Sequence, residues 1–450
     1  METSRPLRPE TTGKPAAIRI LALLIFILCL QVPVLFNSVV VGERRGRRDG
    51  AQEEVAQKWG EQQVLVGPAL SIPWVSHRVE TDARGVKTVS EIPRRLVVLP
   101  ESLHARGRVT TELRSRGIYQ VPVYRLDAVL EGRFTRPDLA KLGVDSLALD
   151  WSKATLCIGV SDPRAIQEQV ALLWGDRRFE FQPGSGGFVE ATSGVHVDLA
   201  LDAPEWNTGF RVPIRLRGTR SVSLAPLGRT TTAELSGNWP SPSFQGPWLP
   251  TERTVSDTGF FARWQIPNLG RNYGQAWTED MGPQKSIDES AFGFDLLSDV
   301  DSYRMCDRTS KYAVLFFLLT FTAFWLLEVL GGRPIHPVQY GLIGAALCMF
   351  LVLELALSEH IGFGLAYLAS AAAVVGLIVS YAAGALGSVR RALAVGAALA
   401  TLYTCHYFVL RNEDYALLLG SLLLFGTLAG VMFVTRRIDW YQNGTSRAAG

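Results

Sequence analysis

The chain has 450 residues, 48% hydrophobic and 19% charged, with a net charge of +3, which allows one large domain and a second body. So small a positive balance gives no electrostatic ground for binding nucleic acid, and no basic run interleaved with aromatics supplies one. Five cysteines are present, but no CxxC, HExxH or paired Cys/His spacing occurs, so neither a metal nor a cofactor is expected.

The apolar residues gather at 17–41 and again at 312–434. About 20 mostly apolar residues cross the ~30 Å hydrocarbon core of a bilayer. The first run, ILALLIFILCLQVPVLFNSVVV, follows Arg5, Arg8, Lys14 and Arg19. It outlasts a signal-peptide core and has no small-x-small cleavage site before Gly42, so an uncleaved anchor is predicted.

Between the anchor and the second apolar region the sequence reads as a water-facing domain. Residues 51–59 carry a helical pattern, with Val55 and Trp59 on one face, and Gly60 ends it. Short strand-like runs then recur between Gly, Pro, Asn and Ser turns, among them RRLVVLP, VHVDL, FRVPIRLRG and GFFARWQIP. Few amphipathic helices intervene, so the expectation is an antiparallel all-β domain, a sandwich or a pair of sandwiches. A faint echo between YRLDAVLEGRFTRPDL and TTTAELSGNWPSPSF raises the alternative of two related halves.

Five further spans are predicted at 311–330, 338–357, 362–382, 392–410 and 415–434. Their connections are so short that consecutive helices become antiparallel neighbours. Arg333, the pair Arg390 and Arg391, and the pair Arg436 and Arg437 fall on alternate loops, whereas SEHIG and RNEDY hold only Arg411, balanced by Glu413 and Asp414. The positive-inside rule puts the first set in the cytoplasm. The expected order is a cytoplasmic tail at 1–16, an anchor at 17–41, an extracytoplasmic mainly β domain at 42–310, a five-helix bundle at 311–434 and a cytoplasmic tail at 435–450. The run ERRGRR at 43–48 opposes this at the first helix, so the later helices decide.

Candidate chemistry is sparse. Ser185 and Ser236 precede glycines outside any GxSxG context, and GSGG is followed by no helix that could cradle phosphate. The aromatic loops with Trp239, Phe244 and Trp248, and with Phe260, Phe261 and Trp264, suit a β core. No catalytic residue is assigned. Cys29, Cys348 and Cys405 lie in apolar runs as packing residues, while Cys157 and Cys306 are either paired in an oxidising compartment or free.

The polar residues of the apolar region are more telling, because a charge in hydrocarbon is costly. Glu328 sits three residues from its helix end, close to Arg333 and His336. Glu354 is expected about one turn from the opposite end of the next helix, with Glu359 and His360 in the loop beyond it and His406 at the same level. This places them near a surface, where polar contacts or docking explain them. Helices rich in Ala, Gly and Ser permit close packing in lipid.

At HPVQYGLIGAALCMFLVLELALSEHIGF the chain resembles the CreD family of bacterial inner membrane proteins, also called cell envelope integrity proteins. The resemblance runs end to end. It includes Glu43, Arg44 and Arg47 after the anchor, Trp59 and Gly60, Gly67 and Pro68, and RGIY at 116–119. WPSPSF at 239–244 with Leu249 and Pro250, GFFARW at 259–264, Glu328, HPVQY, SEHIGF, Ala366 and Tyr367 complete it. Glu354 stands where a leucine-like residue is expected, and ERRGRR is more basic than the pattern requires.

The resemblance implies an inner membrane location, a periplasmic domain and a link to envelope stress under two-component control, with no established reaction. The leading expectation is a non-enzymatic protein with six membrane helices, embedded in the lipid bilayer, whose β domain binds an envelope protein, glycan or lipid. His336, Gln339 and Tyr340, beside Glu328, are expected to order the cytoplasmic turn, and Glu359 with His360 to contact the β domain. A transporter or lipid-handling protein using polar residues at both bundle faces is the alternative, and a cell-wall enzyme a third. The sequence carries no signal for the oligomeric state.

Overall fold

The computed structural model describes residues 16–436 apart from 82–86, 189, 190, 192, 203, 279–281, 297–300, 332–334, 413 and 414. Arg5, Arg8, Lys14, Arg333, Glu413, Asp414 and Arg437, with most of both tails, lie outside the described residues. Contacts divide the chain into two units, Met1–Arg47 with Val300–Gly450, and Arg48–Asp299.

The helical unit begins with α1 (Ala16–Cys29), followed after Leu30 by α2 (Gln31–Trp59). Pro33 explains the break, since a proline removes the bond to residue 29 and its ring crowds that carbonyl. The later part of the anchor, 31–41, and the 51–59 helix, expected as separate elements, fall within the one helix α2. The pair Lys58 to Glu54 at 2.7 Å reinforces its last turns. Gly60 then ends it at φ +140°, where a Cβ would meet the Arg217 carbonyl at 2.9 Å.

Among the described residues, six helices are long and apolar enough to cross a membrane. After the short α3 (Gln284–Glu289) of the β unit come α4 (Ser302–Gly331), α5 (Pro337–Ile361), α6 (Phe363–Leu386), α7 (Val389–Arg411) and α8 (Ala416–Thr435). Two boundaries differ from expectation. α4 starts at Ser302 rather than 311, and α5 runs on to Ile361, so Glu359 and His360 are helical and Gly362 alone joins α5 to α6. Nothing in LSEHI breaks a helix, whereas Gly362 adopts φ +76°.

Packing within this unit joins the anchor to the bundle. A Cβ on Gly344 would meet Leu30 at 2.7 Å and Phe26 at 3.0 Å, Phe26 and Phe321 rings lie 5.8 Å apart, and Asn37 donates to Ser310 at 3.0 Å. Small residues let these helices approach, as packing in lipid requires. α8 is different: of its described side chains only Ala416 is buried.

The β unit contains β1 (Gln63–Thr81), β2 (Lys87–Val98), β3 (Ser102–Arg116), β4 (Tyr119–Arg133), β5 (Thr155–Val160), β6 (Ala171–Trp174), β7 (Arg177–Glu180), β8 (Gln182–Pro183) and β9 (Gly194–Asp198). It continues with β10 (Gly209–Thr219), β11 (Ser221–Leu224), β12 (Thr230–Gly237), β13 (Pro242–Gln245), β14 (Glu252–Ser256), β15 (Gly259–Pro267), β16 (Ala276–Thr278) and β17 (Phe292–Leu296). One sheet has the order β13-β17-β11-β1-β5-β9-β8, with β2 on β1 and β16 on β2; the other runs β14-β15-β12-β3-β4-β10-β6-β7.

Pairing is antiparallel except at β1 with β11 and β3 with β12. β10 shows why the strands form: Phe210, Val212, Ile214 and Leu216 are buried while Arg211, Arg215 and Arg217 alternate outward. Inner residues of both sheets share one core, including Ile72, Leu126, Phe134, Trp174 and Trp264, so the architecture is a sandwich. The two echoing segments flank β3 as β4 and β12 and do not form separate domains. Cys157 is buried on β5, Cys306 is buried on α4, and both thiols are free.

Candidate functional site

HPVQY is a helix start. His336 caps α5, its Nδ1 accepting from the Val338 N–H at 3.3 Å, while the Gln339 side-chain oxygen accepts from the His336 N–H at 3.0 Å. Pro337 occupies the first helical position, where a missing N–H costs nothing. This reciprocal box satisfies donors that a helix start leaves open. Tyr340 then donates its hydroxyl to Glu328 at 2.9 Å, tying α5 to the end of α4.

At the other end of α5, about 35 Å away by helical rise, Glu359 accepts from Tyr303 at 2.9 Å and pairs with Arg44 at 3.5 Å. Both partners belong to the helical unit. His360 is exposed. The six residues selected from sequence thus form two groups at opposite ends of one helix.

Between them lies a cluster that sequence reasoning placed at the surface. Glu354 is 1% exposed and accepts from the Thr309 hydroxyl at 2.9 Å. Because α5 ends at Ile361, Glu354 lies about 10 Å inside the helix end by rise. Phe350, one turn earlier, has its ring centroid 4.8 Å from Tyr403 and 5.3 Å from Tyr367. Phe316 of α4 lies 4.4 Å from Tyr403 and 5.0 Å from His406. Tyr367 donates to the Tyr403 carbonyl at 2.8 Å and lies 3.0 Å from His406 Nδ1.

The cluster is not fully satisfied. Among the described residues, Glu354 Oε2, the Tyr403 hydroxyl and His406 Nε2 are buried without a hydrogen-bond partner. Buried polar groups are nearly always paired, so three in one helix cluster make it the bundle's candidate site. The signal available in sequence was a carboxylate and a histidine within apolar helices. Reading the α5 end too early moved Glu354 outward and hid it.

The β unit offers a second feature. On the outer face of the second sheet, Arg106, Arg108, Asp127, Glu234, Ser236 and Phe261 line a shallow depression of about 280 Å³. A neighbouring depression of about 300 Å³ shares Arg106 and Glu234 and adds His104, Thr232 and Arg263. Arg263 pairs with Glu234 at 3.4 Å, and Asp127 is held by Arg215 at 2.7 Å. Arg106 reaches only Glu131 at 3.8 Å, and Arg108 has no ion pair among the described residues. The two acids are therefore partly neutralised while two arginines keep capacity for an anion. Phe260 and Trp264 are buried in the core as expected, but Phe261 opens outward into the depression.

Comparison with protein families matches residues 15–441 to the family described as Inner membrane protein CreD. Among curated proteins, Inner membrane protein CreD of Escherichia coli (strain K12) is 35% identical over 422 residues, covering 92% of this chain and 91% of the relative.

Proposed function

Because the chain belongs to the CreD family of inner membrane proteins, we propose that it is a non-enzymatic envelope protein whose β unit faces the periplasm and binds an anionic envelope component. Both termini are then cytoplasmic, in keeping with Arg390, Arg391 and Arg436 on alternate loops. The observation that carries the binding role is the depression on the second sheet, where Arg106 and Arg108 lie beside two acids, Glu234 and Asp127, that are themselves held by Arg263 and Arg215. Guanidinium groups recognise carboxylate and phosphate by paired hydrogen bonds.

The test is titration of the full-length protein in detergent with soluble peptidoglycan fragments, which offer carboxylates, and with lipopolysaccharide, which offers phosphates. Binding to one of them that weakens with salt and drops at least about tenfold in the Arg106→Glu/Arg108→Glu variant is expected. Equal affinity in that variant, or no binding to either probe, contradicts the reading.

A transporter is the second reading, and the burial of Glu354 favours it. Absence of proton or lipid flux in liposomes holding the protein removes it.

A further inference from the structure

The hydroxyl of Thr309 has two possible uses and one hydrogen. It lies 3.1 Å from the carbonyl of Met305, one turn back on α4, and 2.9 Å from Glu354 Oε1. If Glu354 is ionised, Thr309 donates to it. If Glu354 carries a proton on that oxygen, the acid donates to Thr309, and Thr309 donates to the Met305 carbonyl, the usual back-bond of a helical threonine. The contact at Oε1 is kept in either state by rotating one hydroxyl, with no heavy atom displaced.

The rest of the cluster has the same two-sided character. Tyr367 directs its only hydroxyl hydrogen at the Tyr403 carbonyl, so its oxygen receives the hydrogen bond from His406 Nδ1. Neutral His406 then holds its proton on Nδ1 and leaves Nε2 as an acceptor. Nε2 has no partner, and the Tyr403 hydroxyl is a donor without an acceptor. Among the described residues the cluster thus also holds one spare donor, the Tyr403 hydroxyl, and one spare acceptor, His406 Nε2, neither of them within hydrogen-bond reach of Glu354 Oε2.

Among the described residues no cation compensates Glu354, and its hydrogen bond with Thr309 is its one polar contact. On α4 the other polar neighbours are Cys306, 3.7 Å from Ser358, and Tyr312, whose ring is 6.3 Å from His406; Arg308 bonds the Val409 carbonyl at 3.4 Å. On α5, Glu359 is engaged by Arg44 and Tyr303. α6 presents Tyr367, and α7 presents Tyr403, His406 and Tyr407, the last with its ring 5.2 Å from that of Tyr367.

We propose that Glu354 is a reversible proton-binding site inside the helix bundle, with the Thr309 hydroxyl as the switchable partner of both protonation states. The step is simple: the carboxylate takes up one proton on an oxygen and becomes a neutral acid, and the reverse releases it. The site is independent of any ligand at the β unit.

Infrared difference spectroscopy on the full-length protein in lipid nanodiscs tests this across a pH series. The expected result is a protonated-carboxyl band that shifts in D2O, fades as pH rises and is missing in Glu354→Gln. Thr309→Val keeps the carboxyl while removing its partner, so its band should change frequency and persist to higher pH, because the hydrogen bond to the charged form is the stronger one. Should Glu354→Gln fail to fold, the frequency change in Thr309→Val identifies the same group. A spectrum without a titrating carboxyl band, a band unchanged across the series, or one indifferent to both substitutions overturns the proposal.

Discussion

His336 and Gln339 spend their polar atoms on backbone groups at the start of α5, so their effect is on helix stability. Replacing His336 by Ala should lower stability by about 1 kcal/mol, the usual value of a lost cap, read by thermal unfolding in detergent. His336→Asn, which can cap, should recover most of it. In the β unit, Asp162 is 6% exposed and accepts from the Arg164 and Glu61 backbone N–H groups and the Arg164 guanidinium. Burial alone would raise its pKa, but the Arg164 pair and the backbone donors outweigh it and hold the carboxyl below its ordinary range. The stability this provides is present above the ordinary carboxylate range, near pH 4, and is lost as pH falls through the depressed value. Asp162→Asn should destabilise the neutral protein by about 1 to 3 kcal/mol and flatten the acid limb of its stability curve. The roles of individual residues were unevenly legible. Pro337 after His336, with Gln339 three residues on, is readable as a turn, whereas the burial of Glu354 depended on where α5 ends, and an apolar helix without a breaker hides its end.

Among the elements, α1 and the adjoining Leu30 meet α5 through Gly344. Gly344→Ile should wedge Leu30 and Phe26 away and cost about 1 to 3 kcal/mol, as overpacking does. Gly341→Ala, whose Cβ would find only Phe26 at 3.8 Å, should leave the melting temperature unchanged and serves as the control. Strands such as β10 were legible because alternation is local, and the membrane helices because apolar length is local. The parallel pairs β1 with β11 and β3 with β12 were not, since long-range partners leave no mark in neighbouring residues. The continuity of α2 was also hidden, because Gly42, Gly46 and Gly50 read as breakers yet occupy helix at positions where an added Cβ would meet nothing within 4 Å.

For the whole molecule, the proposed topology has the β unit on one side of the membrane and the Arg390 loop on the other. A cysteine placed at Leu269, 92% exposed on the β unit, should react with an impermeant maleimide in spheroplasts; one placed at Val389, 66% exposed beside Arg390, should react only after permeabilisation. The reverse pattern would invert the topology. The division into a β unit and a helix bundle was legible from hydropathy, but the charged depression was not, because His104, Arg106, Arg108, Glu234 and Arg263 come together only when β3, β12 and β15 pair. The most direct test of the binding role is photo-crosslinking in intact cells from a photoreactive residue in place of Phe261, which lines the depression beside both arginines. Adducts carrying envelope glycan or lipid are predicted, and their loss when Arg106 is reversed to Glu. Adducts confined to cytoplasmic molecules, or none at all from a correctly inserted protein, would contradict it.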